Sequence, residues 1–165
     1  MGWFFYFYKM KTIYVNSPLG VTKISGDENG ISEISVGYEE TITEQIPINF
    51  KQAVIELEEY FSGNRKEFTF KLNPTGTDFQ KKVWQELLKI PFGKTTSYLD
   101  LSKKLGDVKA IRAVASANGK NPLWIVVPCH RVIGSDGSLT GYAGGLWRKQ
   151  WLLEHEKGEK QQTLF

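Results

Sequence analysis

The hydrophobic pattern of this chain changes from that of strands to that of helices near residue 76. Before that point, short runs rich in β-branched residues are separated by Ser-Pro, Gly and Asp-Glu-Asn-Gly turn signals. After it, apolar residues recur mainly at helical spacing. The stretch Asn73–Gly76, "NPTG", is the natural linker. The pattern therefore predicts two units of different architecture, over residues 1–74 and 77–165.

The first unit is predicted to be a small sheet that carries one helix. The helix is "NFKQAVIELEEYFSG", with Asn49 as its N-cap and Gly63 as its end. The expected strands are "TIYVNSPLG", "VTKIS", "ISEISVGY" and, after the helix, "KEFTFKL". Residues 1–9, "MGWFFYFYK", are read as an extension ahead of a natural beginning at Met10. This α+β unit has no obvious chemistry.

The second unit begins with three predicted helices. Thr77 and Gln80 are spaced as a capping box at the start of "TDFQKKVWQELLKI", whose apolar face begins at Phe79. "SYLDLSKKLG" is a short helix capped by Ser97 and ended by Gly106. "DVKAIRAVASANG" follows directly, so the last two helices form a candidate helix-turn-helix.

The rest of the second unit completes a winged-helix pattern. An apolar strand, "LWIVV", comes first, and "RVIGSDGSLTGY" is predicted to be a hairpin with a Ser-Asp-Gly turn, which would be the wing. "GLWRKQWLLEHEKG" is a closing amphipathic helix. The predicted fold class is therefore α+β, with a winged-helix second unit.

Composition and charge narrow the classes of function. With 41% hydrophobic and 24% charged residues, the chain is globular, and no apolar stretch reaches membrane-spanning length. The single cysteine excludes an intramolecular disulfide and cysteine-rich zinc sites, so no metal is expected. Residues 1–76 carry a net charge of −3 and residues 77–165 a net charge of +6. A polyanion such as nucleic acid is therefore expected to meet the second unit.

The single cysteine, Cys129, stands between Pro128 and His130 in "IVVPCHRVIG". A lone cysteine after an apolar run is often an inert buried side chain. An adjacent imidazole, however, can take the thiol proton and make a nucleophile, provided that a turn places both side chains in one site. Asn121 could pin such a turn, and Glu156 could orient the histidine. A cysteine hydrolase that uses the distant His155 is a competing class without a family signature.

These residues resemble a known family, the DNA repair methyltransferases that act on 6-O-methylguanine. "IVVPCHRVIG" is similar to the active-site motif of the methylated-DNA–protein-cysteine methyltransferases. The resemblance covers residues 77–157, and the first unit has only the layout of the family's ribonuclease H-like domain. Four further blocks occur in the family's order and spacing: "PFGKTTSY", "IRAVASANGKNP", "GYAGGL" and "WLLEHE".

The resemblance implies a stoichiometric reaction on double-stranded DNA. The protein would flip the damaged guanine out through the minor groove, largely independently of sequence, and move its alkyl group irreversibly to Cys129. His130 would deprotonate the thiol through a water, Glu156 would orient His130, and Asn121 would hold the turn. Tyr98 would donate toward the leaving base. The resemblance implies no cofactor, no zinc, a monomer and a cytoplasmic location beside the nucleoid, or a nuclear one in a eukaryote.

The resemblance also assigns DNA-contacting and pocket residues. Arg112 would fill the gap in the base stack, and the small residues Ala113 and Ser116 would allow close approach to the groove. The expected pocket residues are Val132, Tyr142, Ala143, Gly144 and Asn118. Ala143 lacks the hydroxyl that some members have, and Asn118 replaces a larger apolar residue, which leaves the range of alkyl groups and the repair of 4-O-methylthymine open.

Two other functions compete with repair. One is a DNA-binding module that recognises alkylated bases without transfer, although such relatives replace the cysteine. The other is a winged-helix transcriptional regulator, which the basic second half and Arg112 would also suit.

Overall fold

Alternating apolar residues build a three-stranded antiparallel sheet in the first unit of the computed structural model, which describes residues 9–158. The strands are β1 (Lys11–Val15), β2 (Thr22–Asp27) and β3 (Gly30–Val36), in the order β1-β2-β3. These are the first three predicted strands, so that prediction is confirmed. Residues 1–8 of the expected extension lie outside the described residues.

One amphipathic helix, α1 (Ile48–Phe61), covers this sheet. Its buried side chains share a core with isoleucines from all three strands. The predicted N-cap at Asn49 is wrong, because the N-cap is Pro47, two residues earlier, and the helix begins at Ile48. Pro47 has the extended backbone conformation that precedes a helix, with φ −58° and ψ 149°, and no side chain caps the first turn. The core consists of Ile13, Ile24, Ile31, Ile34, Phe50, Ala53, Leu57 and Tyr60.

The predicted strand "KEFTFKL" is wrong. Only Leu72 makes an isolated bridge, to Ile31. The buried carboxylate of Glu56 accepts the backbone N–H and the hydroxyl of Thr69, both at 2.7 Å, and so takes a donor that a strand would use in its ladder.

The second unit begins at Gly76, while Pro122–Trp124 belong to the first unit. Its helices are α2 (Asp78–Leu87), α3 (Tyr98–Lys104) and α4 (Ile111–Gly119). The capping box of Thr77 and Gln80 and the Ser97 cap are confirmed, because both depend only on neighbouring residues.

Helices α3 and α4 form the expected helix-turn-helix. The chain turns at Gly106, where φ is 89°, and a 3₁₀ turn over Val108–Ala110 precedes α4. The indole N–H of Trp84 on α2 donates to the Ala117 carbonyl at 2.9 Å, which ties α2 to α4 through a buried hydrogen bond. Phe79 is 39% exposed, so the prediction that it lies on the buried face of α2 is wrong.

Two predicted β elements of the second half are absent. Residues 123–127 are buried but form no strand beyond an isolated bridge from Leu123 to Ile34, and Ile125 has a φ of 71°. An apolar run indicates that a segment is buried, but it does not indicate whether the segment is a strand, a helix or a turn. The predicted hairpin keeps its Ser-Asp-Gly turn, closed by the Gly134 N–H on the Ser138 carbonyl at 2.9 Å, but has no second strand.

The residues after Cys129 pair in a different way. Strand β5 (Val132–Ile133) lies parallel to β4 (Thr96–Ser97). The predicted closing helix is confirmed as α5 (Leu146–Lys157). No helix among the described residues is long and apolar enough to cross a membrane.

Candidate active site

A tight turn presents Cys129 at the start of a 3₁₀ segment, Cys129–Arg131. Pro128 has φ −81° and ψ 63°, and the Cys129 N–H donates to the Val127 carbonyl at 2.8 Å. These values define an inverse γ-turn, for which the restricted φ of proline is suited. Cys129 is buried, with 6% of its surface exposed. The turn required by the sequence argument is therefore present.

Asn121 holds this turn from the end of α4. Its side-chain N–H donates to the Val127 carbonyl at 2.7 Å, so that one carbonyl oxygen accepts both bonds that close the turn. The same side chain hydrogen-bonds the thiol of Cys129. The structure thus places Asn121 where the sequence analysis expects it.

His130 and Glu156 form a buried pair. His130 is fully buried, and its Nε2 lies 2.7 Å from Oε2 of Glu156 on α5. Burial acts to raise the pKa of Glu156, but hydrogen bonds from His130 and Arg131 outweigh it and hold that pKa far below its usual range. An ionised carboxylate only accepts, so Nε2 carries the proton and the Nδ1 lone pair is free to act as a base. Nδ1 has no hydrogen-bond partner within residues 9–158.

Burial and the neighbouring polar groups shift the pKa of the Cys129 thiol in opposite directions. Burial raises the pKa of Cys129. The Asn121 side chain, the Lys149 ammonium and the Tyr142 hydroxyl act in the opposite direction. Burial also lowers the pKa of His130, against the pull of Glu156. Burial therefore favours the neutral form of each group, whereas Lys149 favours the thiolate and Glu156 favours the imidazolium.

Lys149 and Arg131 are charged groups of the site that the sequence analysis missed. Lys149 on α5 is fully buried, and its Nζ donates to the carbonyls of Val132 at 2.7 Å and Thr140 at 3.1 Å. The bond to Thr140 also occupies a carbonyl in the segment where the second strand of the hairpin was predicted. Lys149 is spaced at i, i+3, i+7 with the buried Leu152 and Glu156, and this helical spacing could have revealed it.

An open cavity of about 510 Å³ brings together several predicted residues. Tyr98 and Arg112 line it from the helix-turn-helix, and Ala143 lines it from the loop before α5. The Tyr98 hydroxyl donates weakly to the Thr140 carbonyl at 3.5 Å, and burial raises its pKa. Lys149, which acts on the ionisation of Cys129, has its Nζ 5.9 Å from the centroid of the Tyr98 ring, so Tyr98 connects the cavity with the surroundings of the thiol. The remaining lining residues are Ile111, Ala115, Gly119, Thr140 and Gly141.

Three other predicted pocket residues, Val132, Asn118 and Gly144, are not among the residues that line this cavity. Val132 is fully buried and offers its carbonyl to Lys149. Asn118 is only 2% exposed and hydrogen-bonds Tyr98, so it belongs to the interior and not to the open rim. The Gly144 carbonyl accepts from Arg148 at 2.7 Å, and this bond steadies the loop of Ala143.

The residues expected to contact DNA lie on one exposed surface of α4. Arg112, Ala113 and Ser116 are all exposed, and Arg112 and Ser116 are one helical turn apart. Among the described residues, no group of three or more His, Cys, Asp or Glu side chains is arranged to hold a metal ion.

Family models match almost the whole described chain. The 6-O-methylguanine DNA methyltransferase, ribonuclease-like domain, matches residues 10–74, and the DNA binding domain of the same family matches residues 78–158. These matches confirm the ribonuclease H-like and DNA-binding character expected of the two units.

Known relatives agree with these matches. A methylated-DNA–protein-cysteine methyltransferase of Methanosarcina barkeri is 44% identical over 150 residues, which cover 87% of this chain and 94% of that protein. One of Mycobacterium leprae is 44% identical over 155 residues, covering 91% and 94%.

Solved structures are similar as well. The crystal structure of the Mycobacterium tuberculosis O6-methylguanine methyltransferase has a TM-score of 0.82 at 41% identity, covering 94% of this chain and 98% of that one. The Mycobacterium tuberculosis OGT in complex with DNA has a TM-score of 0.80 at 44% identity, covering 88% and 91%. The chain therefore belongs to the family of methylated-DNA–protein-cysteine methyltransferases.

Proposed function

We propose that this chain repairs alkylated DNA by direct reversal, moving the alkyl group from O6 of a guanine in duplex DNA to Cys129 in a single turnover. The observation that carries the proposal is the buried Cys129 thiol next to the His130–Glu156 pair, beside the cavity that Tyr98 lines. A buried thiol, an oriented base and an adjacent cavity are the three parts that nucleophilic transfer requires.

The proposed reaction starts with proton removal. The thiol proton passes through a bridging water to Nδ1 of His130, while Glu156 holds the Nε2–H and stabilises the imidazolium that forms. Lys149 stabilises the thiolate by its charge. A thiolate is a far better nucleophile than a thiol, so this step makes the buried sulfur reactive.

The transfer itself is a displacement at carbon. Sγ of Cys129 forms a bond to the alkyl carbon, the bond from that carbon to O6 breaks, and its electron pair moves onto the guanine. Tyr98 lines the cavity and is the phenol placed to donate toward the leaving purine. The displaced guanine anion gains one proton, and His130 gives up the proton that it took from the thiol, so atoms and charges balance. The thioether product keeps the alkyl group, so each molecule acts once.

The target base must leave the helix to reach the cavity. Arg112 lines this cavity from an exposed position on α4, where its guanidinium can stack in the space that the flipped base vacates. Ala113 and Ser116 leave room for α4 to approach the floor of the minor groove. Binding through phosphates and a groove floor is largely independent of sequence, as repair requires. We propose a monomer that acts in the cytoplasm at the nucleoid, or in the nucleus of a eukaryote.

The test is the intact mass of the protein after mixing with a duplex that carries one 6-O-methylguanine. The proposal expects a protein heavier by one methyl group in exchange for a hydrogen, with the change on Cys129 and the duplex restored to guanine. An unmodified duplex and the Cys129→Ala variant are the controls, and neither should gain mass. Binding without a change in mass would support a non-catalytic module, and repair without a change in mass would require turnover; either result contradicts the proposal.

A further inference from the structure

The side chain of Asn118 on α4 is buried and hydrogen-bonds the phenol of Tyr98. Burial raises the pKa of that phenol, and the bond with Asn118 acts in the opposite direction. A bond that favours the phenolate is one that the phenol oxygen accepts, so the amide N–H of Asn118 is the donor. The other end of the amide, Oδ1, is buried and has no hydrogen-bond partner within residues 9–158.

The phenol oxygen of Tyr98 is thus held from the interior, while its own O–H is held only weakly. The hydroxyl donates to the Thr140 carbonyl at 3.5 Å, which is long for a hydrogen bond between two oxygens. The same carbonyl accepts from the Lys149 ammonium at 3.1 Å. Tyr98 and Thr140 both line the cavity proposed to take the flipped base. The phenol proton is therefore available to a base that enters this cavity.

We propose that Asn118 is a positioning residue for Tyr98, whose amide N–H occupies the phenol oxygen and so directs the phenol O–H to the departing guanine. The inference rests on the proposed function, because it concerns the same transfer. Asn118 is not among the residues that line the cavity, so it acts through Tyr98 and not on the substrate. A hydroxyl that accepts one hydrogen bond is polarised by it, which strengthens the bond that the hydroxyl donates.

The unpaired Oδ1 argues against a purely structural role for Asn118. A buried amide with one unsatisfied end carries a desolvation cost, which an apolar side chain in the same place would avoid. The neighbouring buried side chains on α4, Val114 and Ala117, are apolar, so an apolar residue would suit these surroundings. The amide therefore serves the phenol of Tyr98 and not the packing of the helix.

Two other polar side chains near Tyr98 do not replace Asn118. Lys149 has its Nζ 5.9 Å from the centroid of the Tyr98 ring, but this nitrogen donates its hydrogen bonds to backbone carbonyls. Ser102 is fully buried, and its hydroxyl donates to the backbone carbonyl of Tyr98 at 2.8 Å and not to the phenol. Both contacts remain when Asn118 is replaced, so a variant at this position tests the bond to the phenol.

The test compares two reactions of the Cys129 sulfur. The first is single-turnover transfer from a duplex that carries one 6-O-methylguanine, in which the purine is the leaving group. The second is alkylation by iodoacetamide without DNA, measured by intact mass. In that reaction the sulfur displaces iodide, a C–S bond forms, and the thiol proton passes to solvent. Iodide leaves without a hydrogen bond from the phenol, so only the first reaction depends on Tyr98.

The variants are Asn118→Leu, which keeps the branching of the side chain but removes the amide, Tyr98→Phe and the double variant. Asn118→Leu should slow transfer from the duplex by about tenfold, the effect expected of one neutral hydrogen bond. Its iodoacetamide alkylation should match the wild type, and its melting temperature should stay the same or rise. Adding Asn118→Leu to Tyr98→Phe should slow transfer no further, because the amide acts through the phenol.

Ser102→Ala is the matched control. It removes a buried hydrogen bond to the backbone of Tyr98 and leaves the phenol untouched, so both reactions should proceed as in the wild type.

Three results would overturn the inference. The first is wild-type transfer in a folded Asn118→Leu. The second is an equal loss in both reactions together with a lower melting temperature, which is the result of a merely structural role. The third is a loss that adds fully to that of Tyr98→Phe, since Asn118 would then act independently of the phenol. If Asn118→Leu fails to fold, Asn118→Ala is compared in the same way.

Transfer by the wild type is measured first. Its absence would contradict the proposed function, whereas transfer by the wild type that Asn118 variants leave unchanged would contradict this inference alone.

Discussion

The side chain of Asn121 donates to the Val127 carbonyl at 2.7 Å, and the Cys129 N–H donates to the same oxygen at 2.8 Å. The end of α4 is thereby joined to the turn that carries the nucleophile. Helix α4 also carries Arg112, the residue proposed to enter the DNA. This amide thus connects the turn that carries the thiol with the helix that is proposed to contact DNA.

Replacing Asn121 by alanine should loosen this turn. The buried Val127 carbonyl loses its strongest partner, so we expect a loss of about 1–3 kcal/mol in the free energy of unfolding and at least tenfold slower alkyl transfer. Thermal melting and single-turnover transfer measure the two effects. Asn64→Ala is the control, because the Asn64 amide bonds only the exposed Ser62 hydroxyl. Unchanged transfer in Asn121→Ala would show that the amide does not hold the thiol.

The features that the sequence predicted correctly depend on neighbouring residues. The capping box of Thr77 and Gln80, the Ser97 cap and the turn at Pro128 each involve residues within a few positions. The hydrogen bonds of such features join residues that are close in the chain, so the sequence alone indicates them. Cys129 and His130 are recognisable for the same reason, since they are adjacent in the chain.

Two of the features that the sequence predicted wrongly lie where distant charged side chains bind the backbone. The Glu56 carboxylate accepts the N–H of Thr69, 13 residues away, within the segment "KEFTFKL" where a strand was expected. Lys149 takes the Thr140 carbonyl, in the segment where the second strand of the wing was expected. A buried Lys or Glu is exceptional in proteins, so pattern analysis assigns such residues to the surface. The contacts of Arg131 were missed on the same ground.

Lys149 should control the reactivity of the thiol. Its ammonium is the charge that favours the Cys129 thiolate, whereas its effect on His130 is the weakest among the groups acting there. Lys149→Met should therefore shift iodoacetamide alkylation to higher pH and slow alkyl transfer by about tenfold. Lys89→Met, which removes an exposed ion pair with Glu86, is the control. Equal profiles for Lys149→Met and the wild type would remove Lys149 from the mechanism.

Arg112 should matter for duplex substrates only. Flipping a base costs a few kcal/mol of unstacking, and Arg112→Ala removes the group proposed to offset part of that cost. We expect repair of a methylated duplex to slow by about tenfold, while transfer from free 6-O-methylguanine base stays unchanged. Lys109→Ala, which also removes an exposed positive charge just before α4, should weaken duplex binding without this selectivity. Equal losses on both substrates for Arg112→Ala would exclude the stacking role.

Glu56 should make the stability of the first unit depend on pH. Burial acts to raise the pKa of this carboxyl, but bonds from Thr69 and Gln52, together with the Arg65 charge, outweigh it and hold the pKa below its ordinary value of 4.5. A carboxyl with a lowered pKa stabilises the folded state fully above its unfolded pKa, and this contribution is lost as the pH falls through the folded pKa. Glu56→Gln should therefore cost about 1–3 kcal/mol at pH 7.

The pH series is the sharper part of this test. The difference in melting temperature between Glu56→Gln and the wild type should be constant from pH 7 down to about pH 5. It should shrink below the ordinary pKa of 4.5, where the unfolded chain binds a proton that the native carboxylate does not yet bind, and the charge-dependent part should be lost as the pH falls through the lower pKa of the folded state. Glu59→Gln is the matched control, since Glu59 contacts the same Arg65 at 3.5 Å but is 38% exposed, and its replacement should change melting little at any pH. A difference for Glu56→Gln that persists unchanged to the lowest pH would show that shape and hydrogen bonding, and not the charge of Glu56, hold Thr69 in place.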